Sequence, residues 1–439
     1  MKKLIFSIFA VCTLLLASCS KDKTELLATV PSDTAAIVYV DIKHFADKLS
    51  KEDIEQLENA LPSNIEDGVE ELFEKDGPVD LEAGFVCFEY ENNYLGTVRL
   101  KDGGKFRKYI KEEFSGVFNE KNGVWVNDDE NIFVVGNQAW FSSMNGVSTP
   151  VIKKFAELKP EDSAAESEVV NEWLEKGKAD VKILIDIKKA MAYEATGREA
   201  MVGFNMLFDD PKYIAYELNF DKGKCSGTVE VLNDKAKIAP FALKLATIDV
   251  NALRSFKGKG DIFFALGLNP ETTSSILSNL TGLGLPMDMQ DLLKQFDGNI
   301  VVSTDLNSMM AMNGGYGDGA FDALFTMTGA EAATQLVETL KEFNEGAVNL
   351  HSDVEGNTAY VSINSPEGGS IAPLAGEFKD AVVGLVYVPT QSLIKNKLRQ
   401  VSVMLKEKDG GLVFDMNFLL KEGENSLVTI VQLFGSLAM

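Results

Sequence analysis

Apolar residues recur along this chain with two periods, and the period switches many times. Short runs rich in β-branched and aromatic residues predict strands at Ala35–Ile42, Val79–Tyr90, Tyr94–Leu100 and Val181–Ile187. Apolar spacing of three and four predicts helices at His44–Leu49, Asp53–Leu61 and Asp102–Phe114; in the last, Phe106, Tyr109, Ile110 and Phe114 share a face. Polar turns mark the joints: Glu91-Asn92-Asn93, Lys121-Asn122-Gly123 and Asn127-Asp128-Asp129. Val117–Phe141 therefore reads as a meander of short strands. Pro150–Lys176 reads as helical and charged, and Tyr213–Phe220 with Cys225–Leu232 as a hairpin about Asp221-Lys222-Gly223.

The same order then returns. A strand at Asp261–Leu268 runs into a helix at Pro270–Leu280. Strands at Gly298–Leu306 and Ala323–Met327 precede a helix at Gly329–Phe343. Ala347–Leu350 and Thr358–Ile363 flank Glu355-Gly356-Asn357. Ala381–Val388 leads toward a helix from Pro389, and Val401–Lys406 with Leu412–Leu420 form a hairpin about Asp409-Gly410-Gly411. Ile37 answers to Ile262 and Asp102 to Gly329, but Lys182 answers to Val382, so the spacing shortens as if 150–176 had no counterpart in the second half. The expectation is two tandem, diverged copies of one unit, 31–240 and 241–439. Strands outnumber helices and hairpin turns join most of them, which predicts an α+β fold: an antiparallel sheet with helices packed on one face, once per copy.

Composition narrows the class. The 439 residues carry a net charge of −24, or −26 once the lysines of the first 18 residues are set aside. So acidic a body argues against nucleic acid, which needs clustered Lys and Arg, and against lying flat on an anionic membrane. No apolar run past the first 18 residues is long enough to span a bilayer. The N-terminus is different: Lys2 and Lys3 precede an apolar run from Leu4 to Leu16, followed by Ala17, Ser18 and Cys19. The run Leu16-Ala17-Ser18-Cys19 resembles the lipobox of bacterial lipoproteins. That resemblance implies cleavage after Ser18, acylation of Cys19 and attachment to a membrane through the lipid, with 19–30 as a lipidated tether. Ser20 stands where an Asp would favour the inner membrane, so the outer membrane is favoured. Whether the periplasmic or the surface face carries the protein stays open.

Two further stretches, Val30-Pro31-Ser32-Asp33-Thr34-Ala35-Ala36-Ile37-Val38-Tyr39-Val40-Asp41-Ile42 and Phe296-Asp297-Gly298-Asn299-Ile300-Val301-Val302, resemble segments of Bacteroides-type cell-envelope lipoproteins. The resemblance implies an address and an architecture. It supplies no catalytic residues.

Candidate chemistry is sparse. His44 and His351 are the only histidines, and neither has a second ligand at metal-binding spacing. Cys87 and Cys225 fall in strand-like runs; they are either one disulfide or two buried thiols, and no C-x-x-C is present. Gly314-Gly315-Tyr316-Gly317-Asp318-Gly319 lacks the βαβ context of a nucleotide loop. Asn127–Asn131 and Asp209-Asp210 lack the calcium-loop pattern. Met309, Met310 and Met312 with Leu306, and the stretch Leu277–Met289, offer adaptable apolar surface. No catalytic, cofactor or metal site is assigned, and lipidation at Cys19 is the one site expected. The expected function is a non-enzymatic binding or scaffolding module of the cell envelope, its partner a protein, a glycan or an apolar ligand. A carrier of an apolar ligand between sheet and helices, and a carboxylate-based glycan hydrolase, are the alternatives.

Overall fold

The computed structural model describes residues 23–60, 77–90, 93–113, 117–127, 131–142, 147–192, 205, 207–279, 291–313, 319–344, 349–364, 371–390 and 396–437. Cys19 and the lipobox lie outside the described residues. The chain divides into two compact units, Met1–Ala239 with Leu420–Met439, and Pro240–Leu419. Both mix helices with antiparallel sheet.

In unit 1 the strands are β1 (Ala36–Val40), β2 (Phe85–Tyr90), β3 (Asn93–Arg99), β4 (Asn119–Lys121), β5 (Val124–Asn127), β6 (Ile132–Val135), β7 (Gln138–Ser142), β8 (Val181–Asp186), β9 (Tyr213–Asp221) and β10 (Lys224–Leu232). They pair antiparallel in the order β4-β5-β6-β7-β3-β2-β1-β8-β9-β10. The turns explain the tight hairpins. Asn122 and Gly123 both have positive φ, 57° and 83°, and Gly136 has φ 57°, the conformations whose twist matches paired strands.

Its helices are α1 (Lys23–Leu27), α2 (Ile42–Ala46), α3 (Lys51–Ala60), α4 (Gly103–Glu113), α5 (Thr149–Ala156), α6 (Glu168–Glu175) and α7 (Ile187–Ala192), with a C-terminal helix at Ser426–Leu437. α1 corrects the expected tether. Leu26, Leu27 and Val30 are buried in unit 1, each contributing roughly 1.5–3 kcal/mol as buried apolar side chains, so the fold begins by Lys23.

The C-terminal helix also departs from the expected boundary, because 420–439 belongs to unit 1. One carboxylate explains how it is held. α3 opens on a capping box, in which the Ser50 amide donates to Asp53 Oδ2 (2.8 Å) and the Asp53 amide donates to Ser50 Oγ (3.2 Å). Asp53 Oδ1 accepts from the Asn425 amide (3.0 Å), fastening the start of the C-terminal helix to α3. Burial opposes the charge on Asp53, but the hydrogen bonds from Ser50 and Asn425 outweigh it and hold the carboxyl below its usual range. A depressed carboxyl stabilises the fold above the unfolded carboxylate range and loses that contribution as pH falls through the folded value.

The sheet of unit 1 is covered on both faces, which corrects the expectation of one. Phe85, Cys87, Val98, Val134 and Phe141 pack with Phe106 and Ile110 of α4 and Val428 of the C-terminal helix. On the opposite face Phe88 and Trp140 meet Phe155 of α5 edge-on and stacked.

Unit 2 contains α8 (Val250–Ser255), α9 (Pro270–Asn279), α10 (Leu306–Asn313) and α11 (Ala330–Asn344). Its strands are β11 (Ile262–Leu268), β12 (Phe296–Thr304), β13 (Phe321–Met327), β14 (Leu350–Glu355), β15 (Thr358–Ile363), β16 (Ala381–Tyr387), β17 (Leu398–Lys408) and β18 (Gly411–Leu420). The antiparallel pairings run β14-β15-β13-β12-β11-β16-β17, and β18 follows β17 across Asp409-Gly410, both at positive φ. Leu268, Phe296, Met327 and Ala359 pack with Ala333, Leu336 and Val337 of α11 on one face. Phe263, Ala265, Val301 and Leu324 pack on the other with Leu253 of α8 and Phe378 of a 3-10 turn, Ala375–Phe378. Here the sequence carried the signal: Ile262-Phe263-Phe264-Ala265-Leu266 is apolar at every position, as a strand covered on both faces must be.

Two element assignments change. The strand before Gly356 runs from Leu350 to Glu355, its exposed His351, Asp353 and Glu355 alternating with half-buried Leu350, Ser352 and Val354 on an edge strand. Leu306 does not end a strand but starts α10, capped by Asp305, whose Oδ1 accepts from the Ser308 amide (2.9 Å). The helix expected from Pro389 falls largely outside the described residues.

Candidate functional site

The segment between β7 and β8 builds the most site-like feature of unit 1. It is fixed to the sheet by a buried lysine. Lys182, on β8, is only 1% exposed. Its ammonium donates to the carbonyls of Trp173 (3.1 Å), Leu174 (3.1 Å), Lys176 and Gly177 (3.4 Å), and lies 3.4 Å from Glu217 Oε1. Those carbonyls belong to the C-terminal end of α6, where the helix dipole concentrates negative charge and backbone acceptors lack intrahelical partners. The N-terminal chain closes the other side: Pro31 bridges to Ser163, the Ser32 amide donates to Asp162 O and the Ala164 amide to Val30 O (both 2.8 Å).

Between these elements lies a small open cleft of about 40 Å³. Ile37, Leu184 and Val170 give it an apolar floor. Ser32, Thr34, Ser167, Asp186, Lys189 and Tyr213 give it a polar rim. Asp186 ends β8 and caps α7, its Oδ1 accepting from the Lys189 amide (3.0 Å). The Lys189 ammonium donates to Ser32 O (3.0 Å) and Thr34 O (3.3 Å) and lies 3.5 Å from Asp186 Oδ2. Burial, then the charges of Asp186 and Asp234, push the Tyr213 phenol up, so it keeps its proton at neutral pH. The rim therefore offers hydroxyl donors, one carboxylate acceptor and a lysine occupied by its own chain.

A second polar cluster sits at the other end of β8. Asp180 is fully buried. Its Oδ2 accepts from Lys48 Nζ (2.9 Å) and the Phe220 amide (2.6 Å), and its Oδ1 lies 3.9 Å from His44 Nε2. Burial pushes the Asp180 carboxyl up against the pull of those donors. Lys48 also reaches Asp221 (2.9 Å); burial disfavours its charge, but the two carboxylates prevail and push its pKa up. With Phe45 edge-on to Phe220, this cluster docks α2 onto β9. Cys225, which feels the same carboxylates, is a buried free thiol pushed up to about 11 by burial and then by Asp180 and Asp221.

The residues singled out by sequence lie apart from the cleft. His44 belongs to the Asp180 cluster, and His351 is exposed on β14. Cys87 is buried and free, pushed up to about 12. Met309 is exposed on α10, while Asp128–Glu130, Gly314–Asp318 and most of Leu277–Met289 lie outside the described residues. Among the described residues no cluster of three His, Cys, Asp or Glu could hold a metal. Sequence reading missed Asp186, Lys189, Ser167 and Tyr213. The one available signal was Asp186 at a strand end, three residues before Lys189 in a new helix.

Comparison with protein families, curated proteins and solved structures finds no match. The geometry of the chain itself is what a functional reading rests on.

Proposed function

We propose that the chain is a lipid-anchored protein of the bacterial cell envelope, made of two diverged copies of one α+β unit, and that it acts as a non-enzymatic binding module through the cleft of unit 1. The duplication is supported by a shared pairing order, β8-β1-β2-β3-β7-β6 in unit 1 and β16-β11-β12-β13-β15-β14 in unit 2, and by ladders that end alike. The Leu100 amide donates to Asn137 O (2.7 Å) and the Met327 amide to Asn357 O (2.9 Å), each beside a glycine at φ near 57°. The Lys101 amide donates to Pro78 O (2.7 Å) and the Thr328 amide to Gln295 O (2.8 Å). The Asp186 amide donates to Ala35 O (2.8 Å) and the Val388 amide to Asp261 O (2.7 Å). Each bond is the rung that carries a ladder one residue past its strand end, so matching ladders stop at matching places in the two units, which favours their common descent.

The observation that carries the binding reading is where the copies differ. α5 and α6 fill the step between β7 and β8, whereas the step between β15 and β16 holds only the short turn Ala375–Phe378 among the described residues. α6 and the turn before it supply part of the cleft wall, through Ala164, Ser167 and Val170. Asp186 is the only carboxylate among the cleft's lining residues, so a carboxylate-pair hydrolase draws no support there. Ligand-observed NMR with a small fragment library tests the reading. Some fragments should bind the parent and lose their signal in Ser167→Trp, which plugs the cleft; fragments unaffected by the plug would overturn it.

The anchor has its own test. If Cys19 carries lipid, at most four chain links separate it from α1, a reach of about 14 Å, so unit 1 would sit close to the membrane. Cys19→Ser should abolish incorporation of a labelled fatty acid and leave the circular dichroism of the protein unchanged. Equal labelling of both proteins would defeat the assignment.

A second reading, an apolar-ligand carrier, is favoured by one observation in unit 2. Leu385 is 37% exposed in the middle of β16, flanked by Phe264 and Val403, both half-buried. An environment-sensitive apolar dye displaced by fatty acid would select that reading.

A further inference from the structure

The two units end differently at matching edges. In unit 1, β6 pairs with β7 on one side and with β5 on the other, in the register Trp125↔Val134 and Asn127↔Ile132. In unit 2, β14 holds the place of β6 beside β15, and among the described residues no strand pairs with its outer edge. The ladder fixes which backbone groups face that edge. The Asn364 amide donates to Asn349 O (3.0 Å), and bonded pairs alternate along an antiparallel ladder. His351, Asp353 and Glu355 therefore spend their amides and carbonyls on β15, while those of Leu350, Ser352 and Val354 point outward. The Val354 amide bears this out: with no strand to meet, it donates to the side chain of its own neighbour, Asp353 Oδ1 (2.8 Å).

We infer, resting on the duplication reading above, that the outer edge of β14 receives an extended segment of another protein in which basic and apolar residues alternate. Open amides and carbonyls at alternate residues are what an added strand pairs with. The alternation follows from the two faces. On one, Val354 packs with Ala333, Leu336 and Val337 of α11, as Val134 packs with Phe106 and Ile110 of α4. There unit 1 supplies Trp125 from the next strand, its ring under Arg107 of α4 at 4.2 Å, so the matching position in unit 2 calls for an apolar side chain. On the other face His351, Asp353 and Glu355 are exposed, and β14 carries no Lys or Arg. Basic residues of the incoming strand would stand across from those carboxylates. Its carbonyl would take the Val354 amide and free Asp353 for the cation. Charge favours such a partner over a second copy of a chain whose net charge is −24.

Fluorescence polarisation on the full chain tests this with four labelled hexapeptides: alternating Lys-Val, the same residues in two blocks, alternating Glu-Val, and alternating Lys-Val methylated on the valine nitrogens. The first should bind at least tenfold more tightly than the other three, because it alone matches charge, alternation and backbone donors. Its affinity should fall at least tenfold in Asp353→Lys and in Ser352→Pro. The Ser352 amide points away from β15, so proline there removes an edge donor and spares the ladder; should Ser352→Pro not fold, Asp353→Lys and the methylated peptide carry the test. Ser167→Trp, which plugs the cleft of unit 1, should leave the peptide bound. Equal binding of the block or methylated peptide would show charge attraction without strand pairing and overturn the inference. So would failure of all four peptides, or loss of binding in Ser167→Trp, which would put the peptide in the cleft. Sedimentation showing a dimer of the parent that Asp353→Lys or Ser352→Pro dissociates would give the edge to a second copy and overturn it as well.

Discussion

Lys182→Ala should destabilise unit 1 by about 3–5 kcal/mol, the range for breaking a buried charged network by removing one partner. The lysine is held by four carbonyls at the end of α6 and by Glu217, so its loss strands acceptors that water cannot easily reach. Lys182→Met keeps the packing of the stem and should cost less, about 2–3 kcal/mol, because only the hydrogen bonds are lost. All three tryptophans, Trp125, Trp140 and Trp173, lie in unit 1, so intrinsic fluorescence during urea unfolding reports that unit alone. A midpoint drop at constant slope is the expected signature. An alanine variant within about 0.5 kcal/mol of the parent, the range of an ordinary surface substitution, would show that the lysine does not hold α6.

That lysine also shows where sequence reading fails. Val181-Lys182-Ile183-Leu184-Ile185-Asp186 alternates, and the usual inference sends the isoleucines inward and Lys182 and Asp186 to solvent. The structure does the reverse: Lys182, Leu184 and Asp186 are buried and the β-branched residues are only half-buried. Periodicity identifies a strand and its two faces, but not which face a remote segment will cover. The covering segment, α5 and α6, was legible as helical. Its destination was not, because long-range docking through backbone carbonyls leaves no pattern in the side chains. The cleft was unreadable for the same reason: Ser32, Ser167, Asp186 and Tyr213 come from four separated segments. By contrast, local chemistry was readable. The strands, most hairpin turns and helices α4 and α11 stand close to where spacing places them, since caps, turns and amphipathic faces are decided within a few residues. The N-terminal segment was misread because Ser20–Ala28 is polar on average, while Leu26 and Leu27 alone decide its burial.

Trp140→Ala should cost about 3–5 kcal/mol, the range for deleting a fully buried large aromatic. The indole stacks on Phe155 at 6.3 Å and 29°, and both rings stand nearly perpendicular to Phe88, at 6.3 and 5.5 Å. Trp140 stands on β7 and Phe155 on α5, so the contact is also the second attachment of the cleft-walling segment to the sheet. Its indole N–H is buried without a hydrogen-bond partner. Trp140→Phe therefore removes an unsatisfied donor along with some volume, and should cost under about 2 kcal/mol, the release of the stranded donor offsetting part of the cavity. Phe155→Ala should couple to Trp140→Ala by about 0.5–1.5 kcal/mol in a double-mutant cycle, as aromatic pairs in contact do. Additive losses would mean that α5 packs on the sheet without using this pair. A loosened α5 should also loosen the segment that carries Ala164, Ser167 and Val170, so Phe155→Ala should weaken binding of any fragment held by the cleft, although Phe155 is not among its lining residues. Unchanged affinity in Phe155→Ala, with folding intact, would separate the packing of the segment from the site it encloses.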